Sequence, residues 1–286
     1  MNGLSAIDLK WLQSQFPNLS NLAPLNSGGQ KQVFSAEHIA DGPVVLKIIH
    51  PHQDLETTRR EILAVTQLSA HRVPQILEVA PLATPLGHCV WFREKRISGQ
   101  TVRSLLSGGP LETRKLLKMG LQTLEVLTAS ESLRIVHRDI KPDNLICDLN
   151  GDTWVIDFGL ARHLDLNSQT ATAAVFGKFT TGYAPPEQFH NHKYEIDARC
   201  DLFSLGVTLY ECATGANPFT LGARDHLEVF KRIQGPPLPR LNLSFPSAGK
   251  FADMVAAMTQ PRRDHRPPSA KETHEWMKQI CQTESI

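Results

Sequence analysis

The run His137-Arg138-Asp139-Ile140-Lys141-Pro142-Asp143-Asn144, followed by Asp157-Phe158-Gly159, gathers carboxylates, an amide and an ammonium into one short stretch. Carboxylate and amide carbonyl oxygens are hard donors of the kind Mg²⁺ takes while keeping several of its waters. A carboxylate held beside a reacting hydroxyl can also receive its proton. Transfer of a phosphoryl group from a nucleotide needs those parts and little covalent chemistry: placed metal ions, charge stabilisation and an oriented hydroxyl.

Two further features suit the same chemistry. Lys47 stands inside the apolar run Val44 to Ile49, and strand alternation puts Val45, Lys47 and Ile49 on one face. Taken alone, such a lysine is more often an edge residue whose head reaches solvent. Ser27-Gly28-Gly29 is a turn without Cβ atoms at its glycines, so backbone N–H groups there can approach phosphate oxygens, although an ordinary hairpin turn reads the same way.

These residues need elements to hold them. Leu9, Leu12 and Phe16 recur at helical spacing and Pro17 stops the run, which predicts a short leading helix. Strand-like sequence runs from Leu22 to about Ile49, broken at Ser27-Gly28-Gly29 and Asp41-Gly42-Pro43. A helical period returns over residues 54–69 with Leu55, Ile62, Val65 and Leu68 as its apolar stripe, and strands are expected around 75–80 and 88–97. After Ser98-Gly99-Gln100 and Ser107-Gly108-Gly109-Pro110 the chain reads as mainly helical, over 112–133, 201–214, 224–233, 249–260 and 269–282. Short strand-like pieces at Leu145-Ile146 and Trp154-Val155-Ile156 interrupt it. The organisation expected is a helical extension over 1–21, a small β-rich part over 22–97 and a larger helical part over 98–286, with a ligand cleft between them.

Composition narrows the function classes. The chain has 286 residues, 41% of them apolar, which exceeds the usual single core and is too apolar for disorder. A formal net charge of +1 gives no bulk field for nucleic acid or an anionic membrane. Cys89, Cys147, Cys200, Cys212 and Cys281 are odd in number, scattered and never spaced C-x-x-C, which reads as reduced thiols in a cytosol. His190 and His192 could share a metal, but two lone histidines near a turn more often do not. No signal pattern and no run near the ~20 apolar residues of a membrane span is seen, so a cytoplasmic location is expected.

H-R-D-I-K-P-D-N followed by D-F-G resembles the catalytic and metal loops of the Hanks-type, eukaryotic-like serine/threonine protein kinases of bacterial type. The resemblance implies an α+β, two-lobed protein-kinase-like fold, with a small antiparallel β-rich N-lobe carrying one main helix and a larger helical C-lobe. It implies Asp139 as catalytic base, Lys141 steadying the transferred phosphoryl group, and Asn144 and Asp157 holding Mg²⁺, with Mn²⁺ as an alternative. Lys141, two positions after the base, is similar to serine/threonine rather than tyrosine kinases. Val-Leu-Lys resembles the V-A-I-K strand, so Lys47 would contact the α- and β-phosphates of ATP and pair with a helix glutamate. Glu61, on the face of Val65 and Leu68, is the first candidate and Glu56 a weaker one.

The glycine-rich loop departs from the family. Aligning Val33 with the valine of G-x-G-x-x-G-x-V puts Asn26, Gly28 and Lys31 on the glycine positions, so only Gly28 is retained, with Gly29 beside it. In the adenine pocket the resemblance puts Val33 and Val45 on one side and Ile146 on the floor, with Lys95 and Ile97 offering backbone groups. Glu94 then falls where the family has an apolar or amide residue. A glutamate there is costly unless a basic neighbour meets it; otherwise the register is off by one.

Gly182-Tyr183-Ala184-Pro185-Pro186-Glu187 resembles the A-P-E segment, which implies pairing of Glu187 with Arg266, and Asp201 resembles the aspartate that braces the catalytic loop. Thr214-Gly215-Ala216-Asn217-Pro218-Phe219 resembles the turn that follows. Between Gly159 and Gly182 an activation segment is implied, with Thr170 or Thr172 self-phosphorylated against Arg138 and Thr180 belonging to the substrate platform. The implied activity is transfer of the ATP γ-phosphate to Ser/Thr hydroxyls of protein substrates. With no room for an anchor and an outer sensor, input is expected through a partner such as a separately encoded regulator, a ligand or self-modification. Two other readings share the architecture: a pseudokinase scaffold, favoured by the altered glycine loop and Glu94, and a small-molecule kinase, disfavoured by the A-P-P-E segment.

Overall fold

The structure is a computed structural model and describes residues 7–28, 31–49, 55–84, 87–158, 162–163, 180–190 and 195–286. The described residues divide into two compact units, one of those up to Ser69 with Pro74–Ile97, the other of Ala70–Val73 and those from Ser98 onward.

In the first unit Asp8 caps helix α1, Leu9–Gln15, its carboxylate accepting the Trp11 N–H. Strands β1 (Leu19–Gly28), β2 (Lys31–His38) and β3 (Gly42–Ile49), helix α2 (Leu55–Val65) and strands β4 (Ile76–Thr84) and β5 (Gly87–Lys95) follow. The strands form one antiparallel sheet in the order β1-β2-β3-β5-β4. Alternation along β3 sends Val44, Leu46 and Ile48 to one face, where they meet Leu12, Phe16 and Trp91. The leading helix therefore belongs to the core of the sheet, and the Phe16 ring stands edge-on to Trp91 at 4.7 Å. The other face gathers Ile49, Val90 and Phe92 against Ile62 of α2. Lys47 lies on that second face.

The second unit carries β6 (Gly99–Thr101), α3 (Val102–Leu106), α4 (Thr113–Ser132), β7 (Ile135–Val136), β8 (Leu145–Asp148), β9 (Thr153–Val155) and β10 (Arg162–His163). Helices α5 (Pro186–Phe189), α6 (Ala198–Thr214), α7 (His226–Gln234), α8 (Ala248–Met258) and α9 (Ala270–Thr283) complete it. The α+β class expected from the sequence is the one found, with an antiparallel sheet in the first unit and helices dominating the second. Helix α6 is apolar nearly all round and buried through most of its length, the pattern of a central core helix. It ends in Gly215 at φ +83°, a left-handed cap that a Cβ would strain. Among the described residues no helix is long and apolar enough to cross a membrane.

Candidate active site

The catalytic-loop run is held by a buried carboxylate. Asp201, in the first turn of α6, accepts the His137 N–H on Oδ2 and the Arg138 N–H on Oδ1, each at 2.7 Å. Burial pushes the Asp201 carboxyl up, while nearby positive charge and these two N–H groups pull it back. Arg138 has φ +69° and Asp157 φ +71°, both in the left-handed region where a side chain costs about 1–3 kcal/mol.

His137 ties the two left-handed positions together. Its Nδ1 accepts the Asp139 N–H at 3.2 Å, and its Nε2 donates to the Ile156 carbonyl at 3.0 Å. The ring also meets Phe158 edge-on, with centroids 4.4 Å apart. One fully buried imidazole thus fastens the segment before Asp139 to the segment before Asp157.

Around Asp139 three side chains converge. Lys141 Nζ donates to Asp139 Oδ2 at 2.8 Å and to Thr180 Oγ1 at 2.7 Å. Thr180 Oγ1 donates to Asp139 Oδ1 at 2.6 Å. Asn144 Nδ2 donates to the Asp139 carbonyl at 2.8 Å and to Oδ2 at 2.9 Å. The amide nitrogen of Asn144 is therefore turned toward Asp139, and the group it can present to a ligand is its carbonyl oxygen. That oxygen and the Asp157 carboxylate are hard donors, a chemistry that fits a divalent magnesium-like ion.

Beyond Thr180 the chain is pinned to α6. Gly182 has φ +91°, and a Cβ there would meet Thr220 Cγ2 at 2.5 Å. Tyr183 Oη donates to Glu211 Oε2 at 2.5 Å, and Arg103 of α3 donates to Glu211 Oε1 at 2.6 Å and to Asp143 at 3.2 Å. Burial, then the Glu211 carboxylate, pushes the Tyr183 phenol up. Gln188 Nε2 donates to the Arg138 carbonyl at 2.7 Å. Glu187 and Arg266 form a two-pronged pair at 2.6 and 3.1 Å. Arg103, Glu211 and Gln188 were not anticipated from sequence. The signal available for Glu211 was a carboxylate directly after the largely apolar stretch 202–210 of α6.

In the first unit Lys47 Nζ lies 2.7 Å from Glu94 Oε1 and 5.4 Å from the Phe92 ring centroid. Of the two explanations for a glutamate at position 94, the basic neighbour is the one found. The side chains of Glu61 and Glu56 lie outside the described residues; the carboxylate described on Lys47 is that of Glu94, on strand β5. Val33 is opposite Lys47 on β2, and Val45 is opposite Glu94 on β5. Gly28 pairs with Lys31 at the β1–β2 turn, while Gly29 lies outside the described residues. The Lys95 N–H is taken by the Gln75 carbonyl at 2.9 Å, which leaves the Lys95 carbonyl as its group for a ligand. Ile97 follows β5, and Ile146 of β8 pairs with Thr101 and Trp154.

Thr170, Thr172 and His192 lie outside the described residues. His190 contacts Gln234 at 3.0 Å and stands edge-on to Phe230. No cluster of metal-ligating side chains is found among the described residues.

A five-stranded antiparallel sheet with one main helix, a helical unit around α6 and a braced H-R-D loop define a protein kinase. A family model described as protein kinase domain matches residues 20–283, and the chain belongs to that family. Protein kinases as a class use ATP and divalent metal ions. The chain is 33% identical over 255 residues to the "Probable serine/threonine-protein kinase PkwA" of Thermomonospora curvata, covering 86% of this chain and 32% of that protein. It is 33% identical over 184 residues to the "Serine/threonine-protein kinase PknB" of Mycolicibacterium smegmatis, covering 63% of this chain and 29% of the relative. The PknB of Mycobacterium tuberculosis strain H37Rv is 32% identical over 206 residues, 70% of this chain and 31% of the relative. The chain thus spans about a third of the length of the curated relatives it matches.

Proposed function

We propose that this chain transfers the γ-phosphate of ATP to serine and threonine hydroxyls of proteins, with Mg²⁺ as its metal and Mn²⁺ able to substitute. The observation that carries the reading is the contact of Thr180 Oγ1 with Asp139 Oδ1 at 2.6 Å, with Lys141 touching both residues. A threonine hydroxyl already donates to the carboxylate assigned as the base, which is the contact an attacking substrate hydroxyl requires.

Asp139 orients that hydroxyl and takes its proton as the oxygen attacks, a contribution of about 10²–10⁴-fold for general base catalysis. Lys141, one hydrogen bond away, supplies positive charge where the phosphoryl group passes. Lys47 supplies charge to the α- and β-phosphates. Asn144 and Asp157 hold the metal, which when bound neutralises charge on the phosphate oxygens. Gly28 and Gly29 lend backbone N–H groups to the phosphates. Val33, Val45 and Ile146 cover the adenine, and the Lys95 carbonyl and Ile97 N–H read its edge. Arg138, Glu187, Asp201 and Arg266 keep the loop and platform in shape.

The same activity extends to the chain's own Thr170 or Thr172. Its partners are protein substrates, and its buried free thiols suit a reducing compartment such as the cytoplasm.

The test is label transfer from [γ-³²P]ATP to casein, with Mg²⁺ or Mn²⁺, comparing wild type with Asp139→Asn. Label is expected with wild type alone, and equal labelling by the two proteins overturns the proposal. Intact mass after incubation with ATP reads self-phosphorylation, and an unchanged wild-type mass removes that part.

A further inference from the structure

Glu94 breaks the pattern of its position, and the structure gives it a definite task. Strands β3 and β5 are paired without interruption from Val44 opposite Lys95 to Ile49 opposite Val90. Lys47 lies opposite Phe92, and Glu94 lies opposite Val45. The two charged residues are thus diagonal neighbours on one face, close enough for long side chains to meet. They do so at 2.7 Å, with side chains only 5% and 9% exposed. The Phe92 ring adds an aromatic neighbour for the ammonium. Two charges leave water at high cost, so they persist at such a place only when paired with good geometry.

We infer that Glu94 is a positioning residue for Lys47, fixing the ammonium from within the sheet. A partner on a helix moves when its helix moves. A partner on an adjacent, fully paired strand does not, so this contact ties the ammonium to the sheet itself. The inference rests on the reading of Lys47 as a phosphate contact.

The test measures steady-state kinetics and the binding of a fluorescent ATP analogue for Glu94→Gln, Glu94→Asp, Lys47→Met and the Lys47→Met/Glu94→Gln double variant. Thermal melts of each identify the folded proteins. Charge stabilisation realised mainly in the transition state appears in kcat. Glu94→Gln is therefore expected to lower kcat roughly 10- to 100-fold, with the KM for the acceptor protein unchanged. Glu94→Asp, which keeps the charge, is expected to recover part of the loss. In the Lys47→Met background the Glu94 change is expected to add nothing, because Glu94 acts through that lysine.

Wild-type kinetics in a folded Glu94→Gln protein overturn the inference, as do effects of the two substitutions that simply multiply. If Glu94→Gln does not fold, the Asp variant decides: a folded Asp variant with the full loss and no recovery also overturns it. A wild-type chain that neither binds the analogue nor transfers phosphate removes the kinase reading itself, a result distinct from all of these.

Discussion

Arg138 stands at φ +69° with its backbone N–H 2.7 Å from Asp201 Oδ1. The carboxylate that accepts this N–H also accepts that of His137, so one side chain of α6 holds a strained turn one residue before Asp139. Replacing Asp201 with Ala leaves one buried and one part-buried N–H group without that acceptor, at about 1–3 kcal/mol each. Asp201→Asn is expected to be nearly as harmful, since its NH₂ must face one of the two donors. A loss of about 3 kcal/mol by denaturant titration, with label transfer down at least about tenfold, is the expected outcome. An Ala variant with unchanged transfer rate would show that the turn holds without its brace.

The Glu187–Arg266 pair makes a sharper energetic claim. Both side chains are nearly inaccessible, and Arg266 also donates to the carbonyls of Gln260, Pro261 and Arg199. Its guanidinium lies 4.8 Å from the Phe203 ring centroid. Removing one member of a buried pair strands the other charge and costs about 3–5 kcal/mol. Glu187→Gln is expected to fall in that range. Arg266→Lys is expected to cost nearly as much, because an ammonium cannot make the two-pronged contact. A double-mutant cycle of Glu187→Gln with Arg266→Met should give a coupling of at least about 1 kcal/mol. Additive losses would mean that the pair contributes through packing alone.

Parts of this arrangement were readable because they are local. Asp139, Lys141 and Asn144 are neighbours in sequence, and residue type and spacing are enough to suggest their convergence. Helices α4, α6, α8 and α9 are long enough for an apolar period to register. Strands β6, β7 and β10 and helix α3 are two to five residues long, too short for any period. They exist because a partner strand or helix holds them. The Arg103–Glu211 contact joins residues 108 apart, on an element the sequence did not announce. The Lys47–Glu94 contact has the same origin. Alternation gives the face of Lys47, but only the strand order β3-β5-β4, with β5 inserted beside β3, says which residues share that face.

Helices α6 and α8 approach closely at Gly206. A Cβ built there would meet Met258 Cβ and Thr259 Cγ2, each at 2.8 Å. These atoms sit next to the backbone of α8 and its C-terminal cap, so they cannot swing aside as the end of a long side chain could. Gly206→Ala gains a little helix propensity, about 1 kcal/mol. Overpacking works the other way, at about 1–3 kcal/mol or more. A net destabilisation is expected, read as a lower denaturation midpoint at unchanged m-value. A stabilised Ala variant would mean that α8 shifts freely.

High pH is where the second unit should weaken. Its four thiols, Cys147, Cys200, Cys212 and Cys281, are buried and free, and burial is the first cause of a raised value in each. Cys281 is pushed up to about 11, and the Glu187 carboxylate adds to the rise at Cys200, whose Sγ donates to it at 3.2 Å. Tyr183 is raised in the same sense. Above the ordinary thiol value of 9.0 the unfolded chain releases these protons while the folded chain keeps them. The unfolded state then binds fewer protons than the native state, so stability is complete below about pH 8.5 and falls as pH rises through and beyond 9. The melting temperature should decline over that range, and Cys200→Ala with Cys212→Ala should flatten the decline. The same protection predicts slow reaction of the native chain with a thiol reagent at neutral pH, and five reactive thiols once it is unfolded. A melting temperature flat to pH 10.5, or thiols that react as fast in the native chain as in denaturant, would contradict the burial that raises them.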